Sequence, residues 1–150
     1  MEKILDTMNF ATSIHGQLLN KVAAIGTMEP FGPRYLGYLD LENQEFVDVI
    51  AWPFTSNISI WDMKWLDESN IILTHGLGIH QLNINTGSYT PIKEVCENLF
   101  YKTLAILPDQ NAILVGAIDR WNNGTDNVHE EWKIIHLDLD TGEERFINLE

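Results

Sequence analysis

One cysteine, Cys96, stands alone in 150 residues, so no internal disulfide braces the chain. Cations are scarce as well: 9 Lys plus Arg face 22 Asp plus Glu, a formal net charge of −13. Nucleic-acid binding draws most of its affinity from Lys and Arg neutralising phosphates, so neither DNA nor RNA is an expected partner. Long hydrophobic runs are missing too. The longest, Ala112 to Ile118, is far too short to cross a bilayer, and no membrane contact is expected. The start, Met1-Glu2-Lys3-Ile4-Leu5-Asp6, lacks the basic-then-apolar order of a secretory leader, which gives a cytoplasmic expectation. A glycine-rich phosphate loop and a nucleophile elbow are both absent, so neither enzymatic activity nor a cofactor is expected.

What is present is a 45% apolar share, enough for a core, and a pattern that repeats. In the middle of the chain Ile58 to Leu66 reads as a strand, followed by a turn at Asp67 to Asn70, a strand at Ile71 to His75 and a turn at Gly76-Leu77-Gly78. Ile79 to Ile84 and Ser88 to Ile92 then flank an Asn85-Thr86-Gly87 hairpin. The same order returns as Tyr101 to Leu107, Ala112 to Ile118, Trp132 to Leu139 and Glu144 to Leu149, with Asp140-Thr141-Gly142 as the hairpin. A looser copy comes first, near Asn9 to His15, Val22 to Thr27, Tyr35 to Leu41 and Glu45 to Ile50. The third strands match as Leu39-Asp40-Leu41, Leu82-Asn83-Ile84 and Leu137-Asp138-Leu139, spaced by 43 and 55 residues. The surplus falls in the polar stretch Asp119 to Glu131, read as a loop insertion. Helical periodicity is confined to Met1 to Met8.

The segments Trp65 to Leu73 and Leu104 to Val115, with the Thr-Gly hairpins that follow them, resemble the blades of the WD40-like and wider β-propeller families. The Trp61-Asp62 pair does not belong to this likeness, because it opens a blade, whereas the WD40 dipeptide closes a third strand. The resemblance implies an all-β chain, residues 1–150 as one domain, with four-stranded antiparallel blades at about 9–50, 58–92 and 101–149. A β-sandwich that imitates the period is the alternative. Three blades are fewer than the roughly four to eight that usually close a ring. A homodimer completing a six-bladed ring, or a longer parent chain, is therefore expected to cover the open edges.

Blade order gathers an aromatic set at one end: Phe31, Trp52, Phe54, Trp121 and the neighbouring Trp132, an anchor cluster of the kind that dominates protein interfaces. The insertion adds Asp126, His129, Glu130 and Glu131, a group fit for binding or proton transfer. The opposite end collects Asp40, Glu42, Glu45, Asp67, Glu68, Asp109, Asp138, Asp140, Glu143 and Glu144, a negative rim suited to a basic partner. His75 and His80 flank one short turn and are placed opposite each other, but two ligands do not make a zinc site and no metal is expected. Asn123-Gly124-Thr125 matches a glycosylation acceptor that the expected compartment leaves idle. The expected function is a non-enzymatic protein-binding module, with an acidic inhibitor or immunity-type protein as the special case. The alternative is a sugar-binding lectin using Trp61, Trp65, Trp121 and Trp132.

Overall fold

The computed structural model describes residues 11–27, 33–54, 58–94, 98–122, 124 and 127–148. The expectations for the Met1–Met8 helix, Phe31, Asp126 and most of the glycosylation triplet fall outside them. Among the described residues twelve strands form three four-stranded antiparallel sheets, each in simple chain order. The first holds β1 (Ala11–Leu18), β2 (Lys21–Thr27), β3 (Arg34–Asp40) and β4 (Glu45–Ala51). The second holds β5 (Ile60–Trp65), β6 (Asn70–His75), β7 (Gly78–Asn83) and β8 (Tyr89–Glu94). The third holds β9 (Leu99–Leu107), β10 (Ala112–Asn122), β11 (Val128–Asp138) and β12 (Glu144–Ile147). The all-β repeat expected from the spacing is what the chain forms.

The sheets stack as blades. First strands meet, β1 on β5 and β5 on β9, so the three sheets fan from a shared edge rather than facing off as a two-layer sandwich. The middle blade is apolar on both faces. Its β6 is buried from Ile71 to His75, with Ile71 and Leu73 packed toward Ala23, Ile25 and Leu36 of the first blade. Ile72 and Ile79 point the other way, onto Leu104, Ile113, Val115 and Ile135 of the third. Hydrogen bonds pin the blades at both seams. The Trp65 indole N–H donates to Gly16 O at 3.0 Å, the Asp62 carboxylate accepts from Leu104 N–H at 2.9 Å, and the Thr74 hydroxyl donates to Lys102 O at 2.8 Å.

The third-strand match has a physical basis. In each blade the residue ending that strand caps the following hairpin through its side-chain oxygen. Asp40 accepts from Glu42 and Asn43 N–H, Asn83 from Asn85 and Thr86, and Asp138 from Asp140 and Thr141. Immediately past the cap's second donor the chain turns left-handed, at Gly87 (φ 72°), Gly142 (φ 74°) and Gln44 (φ 55°). The insertion, by contrast, is not a loop. β10 runs to Asn122 and β11 starts at Val128, in unbroken register from Ala112↔Asp138 to Asn122↔Val128, so the surplus residues build a two-stranded ribbon. Sequence reading missed it because its polar residues carry no inward apolar face to signal a strand.

A Cβ at Gly142 would meet nothing within 4 Å, so substitution there isolates backbone strain. Gly142→Ala is expected to cost about 1 kcal/mol and lower the melting temperature by about 2–4 °C, read by thermal denaturation.

Candidate functional site

The aromatic set divides among separate places. Trp52 and Phe54, just past β4, pack edge to face at 5.4 Å between ring centroids. Phe54 then reaches His75 at 4.4 Å and Tyr89 at 6.0 Å, while His80 stacks on Tyr89 at 4.5 Å. The Arg34 guanidinium lies over the Trp52 ring at 4.0 Å. Trp121 instead stacks on His129 across the ribbon at 5.7 Å, and Trp132 stands on the outer face of the third blade with 64% of its surface exposed. No ring contact among the described residues links the two groups. The expected single anchor cluster is therefore divided: Trp52 and Phe54 turn inward, while Trp121 and Trp132 stand on opposite faces of the third sheet.

His75 and His80 do meet, though not directly across the hairpin. His75 pairs in register with Gly78 and His80 with Leu73, so the rings are diagonal neighbours on the face turned to the first blade. Leu77 N–H donates to His75 Nδ1, which leaves the proton on His75 Nε2 to bond His80 Nδ1. This chain works only with both rings neutral. Burial, then the neighbouring His80, holds the His75 imidazolium form down to about pKa 4, and burial also lowers His80 against the opposing pull of Glu94. The same burial raises the Tyr89 phenol. The Trp52 indole N–H and the Tyr89 hydroxyl are buried there with no hydrogen-bond partner among the described residues. No group of three or more metal-ligating side chains occurs among the described residues.

A second constellation had no signal in the sequence. Each first strand carries a one-residue bulge at the same place, where register jumps across Thr12 in β1, Trp61 in β5 and Lys102 in β9, and β1 shifts once more between Ile14 and Gln17. The last two touch, the Lys102 ammonium lying 3.2 Å from the Trp61 ring centroid. Burial lowers the Lys102 pKa, Arg120 lowers it further and Glu130 opposes. That places the ribbon's Arg120–Glu130 pair, closed by N–O distances of 2.6 and 2.7 Å, within electrostatic reach of the bulges. Asp62 bridges to the next blade, and burial lowers the pKa of His15, with Asp62 opposing that shift and Lys64 adding to it. A bulge is an excess of one residue in one strand over its partner, which no hydrophobic period reports.

The acidic rim has a structural half. Asp40, Asp67 and Asp138 spend their oxygens on turn N–H groups, and Glu144 accepts from the Tyr101 hydroxyl at 3.0 Å with Lys93 at 3.6 Å.

Comparison with known proteins gives the fold. No family model matches the chain, and no curated protein does. Oligogalacturonate lyase in complex with manganese superposes with a TM-score of 0.60 at 14% identity over 89% of this chain and 40% of its own. A putative TolB from Agrobacterium tumefaciens gives 0.62 at 9% identity, over 89% and 47%. A putative conserved lipoprotein from Clostridium novyi gives 0.57 at 18% identity, over 84% and 86%. The chain thus spans less than half the length of the first two. These likenesses concern the fold alone, and the chain has a β-propeller-like architecture.

The histidine pair generates a pH dependence. His75 is neutral in the fold down to about pH 4 but protonates near 6.5 when unfolded, so the unfolded state binds the extra proton between those values. Stability is complete above about pH 6.5 and falls as pH drops toward 4, by up to ~1.4 kcal/mol per pH unit. Urea midpoints across that window should show this slope in wild type and a flatter one in His75→Phe. Below it the sign is carried by Asp40 and Asp138, whose carboxyls the N–H groups of Asn43 and Thr141 hold under the usual carboxylate range. Asp138→Asn keeps the cap and is expected to reduce that acid loss.

Proposed function

We propose that this chain is a non-enzymatic protein-binding module whose contact surface lies on the third blade, at the ribbon and the sheet face beside it. The observation behind the reading is where large apolar groups are left in solvent. Val128, Trp132 and Phe146, at 58%, 64% and 60% exposure, lie on β11 and β12, the first two on the outer face and Phe146 on the opposite one beside Lys133, whereas the Trp52–Phe54 cluster is turned inward. Exposed aromatic anchors framed by charges, here Glu130, Glu131 and Lys133, are how protein interfaces are built. Trp121, His129, Glu130 and Trp132 are contact residues in this reading, and Trp52 and Phe54 stiffen the scaffold behind them. The net charge of −13 favours a basic partner, including a basic enzyme held by an acidic inhibitor. Kinship with the WD40 group belongs to the same proposal and rests on the strand-and-turn patterns; Asp40, Asn83 and Asp138 hold the position where that group's dipeptide closes the third strand.

A second reading has its own observation. Trp61, half exposed beneath the Lys102 ammonium at the aligned bulges, is a ring-and-cation pair of the kind that stacks on sugars, and an oligogalacturonate lyase is among the proteins of similar fold. Lectin activity would then centre on Trp61.

The test is affinity capture on immobilised chain, comparing wild type with Trp132→Glu. A discrete protein held by wild type, lost with Trp132→Glu and weakened about tenfold or more between roughly 0.05 and 0.5 M salt, is the expected result. Equal capture by both variants overturns it. Binding on a glycan array that disappears with Trp61→Ala would move the function to the second reading.

A further inference from the structure

The ribbon ends one sheet without finishing it. β12 pairs with β11 only from Ile134↔Ile147 to Leu137↔Glu144, so β11 runs past its neighbour from Val128 to Lys133. Among the described residues no strand pairs with that edge. Its polarity can be read from two hydrogen bonds near the hairpin. Asp138 N–H donates toward the β12 side, to Glu143 O, and Leu139 N–H toward the β10 side, to Asn111 O. Backbone groups alternate sides along a strand, and the β10–β11 register is unbroken, so Val128, Glu130 and Trp132 turn their N–H and C=O to the open edge. Arg120 confirms the phase from the other strand: its N–H goes to Asn98 O, away from β11, which makes Arg120↔Glu130 a pair without mutual backbone bonds.

A cavity of about 350 Å³ lies where β12 stops, lined by Trp132, Lys133, Ile134, Phe146 and Ile147. Trp132 and Ile134 belong to the outer face, with Trp132 near Gly116, while Lys133 lies over the Phe146 ring at 6.0 Å on the other. An added strand would set alternate side chains against each of these surfaces.

Resting on the protein-binding reading above, we propose that the Val128–Lys133 edge takes an extended peptide segment of a partner by β-strand addition, in line with β12, and that the segment alternates basic and apolar residues. Three contacts define it: main-chain bonds to Val128, Glu130 and Trp132, an apolar residue on Trp132 and Ile134, and cationic residues drawn by the field of a chain carrying −13. A second copy of this chain fits poorly. The phase of the edge allows antiparallel self-pairing about Glu130 or about Glu131, and either register sets that glutamate opposite its own copy, where like charges directly opposed destabilise a ladder. An edge this charged is guarded against its own kind and open to a basic strand.

The probe is a fluorescent peptide of about eight residues alternating Lys and Val, with a Glu–Val peptide as control. The expected result is a saturable anisotropy change for the Lys–Val peptide alone, with slowed amide exchange by NMR at Val128, Glu130 and Trp132 and little change at His129 and Glu131. Glu130→Pro removes one edge donor and is expected to weaken binding about tenfold. Glu130→Ala keeps the edge amide and loses the side-chain carboxylate with its exposed Arg120 pair, and roughly threefold or less is expected for it. Should the proline variant fold poorly, the exchange pattern in wild type decides. Binding without protection of those three amides overturns the edge assignment and leaves the protein-binding reading standing. Protection without Trp132-dependent capture does the reverse. No binding of the Lys–Val peptide, or edge protection in the free chain with a doubled mass, also overturns the proposal.

Discussion

The structure depends on a sheet that is buried on both faces. A four-stranded antiparallel sheet alone exposes one side to water, yet β6 carries Ile71, Ile72 and Leu73 in succession, all fully buried. Such a strand needs a neighbour above and below. The first and third blades supply them, and their own outer faces inherit the problem. The two ends meet it differently. In the first blade the Phe46 ring lies over Gly26, within 3.2–3.4 Å of where a Cβ would stand, and closes the apolar group of Val22, Ala24 and Leu39. In the third blade Trp132 remains in solvent.

The propeller-like stacking also places the chemistry. First strands converge, so the bulges at Trp61 and Lys102 bring together side chains from different blades that lie far apart in sequence. The histidine pair arises differently, within one hairpin, but takes its environment from the chain crossing between blades, since Phe54 covers His75. Burial there converts an ordinary titratable side chain into one that must remain neutral. The ribbon is the least buried part of the blade and the richest in exposed groups, as expected of an element added to a repeat without a core of its own.

Much of the architecture was legible in the residues. The alternation in Leu39-Asp40-Leu41, Leu82-Asn83-Ile84 and Leu137-Asp138-Leu139 marks three third strands, and the Asx side chain in each does the same local work of capping a hairpin. The site was legible only in part. Trp52 and Phe54 were placed together and are together; Trp121 and His129 share the insertion and stack; Trp132, grouped with them, faces elsewhere. An aromatic residue reads alike whether it fills a seam or stands in water, because hydrophobicity alone does not record which face of a strand has a neighbour.

By itself the sequence determined the strands, their order within each blade, the hairpin turns and the acidic balance, since all of these follow from side-chain alternation and local hydrogen bonding within a few residues. Only the tertiary structure decided which blade faces are covered, that the insertion is a ribbon with an open edge, and that Trp61 meets Lys102. Those outcomes depend on packing and register between strands that are distant in the chain, and one residue of bulge is enough to redirect a side chain.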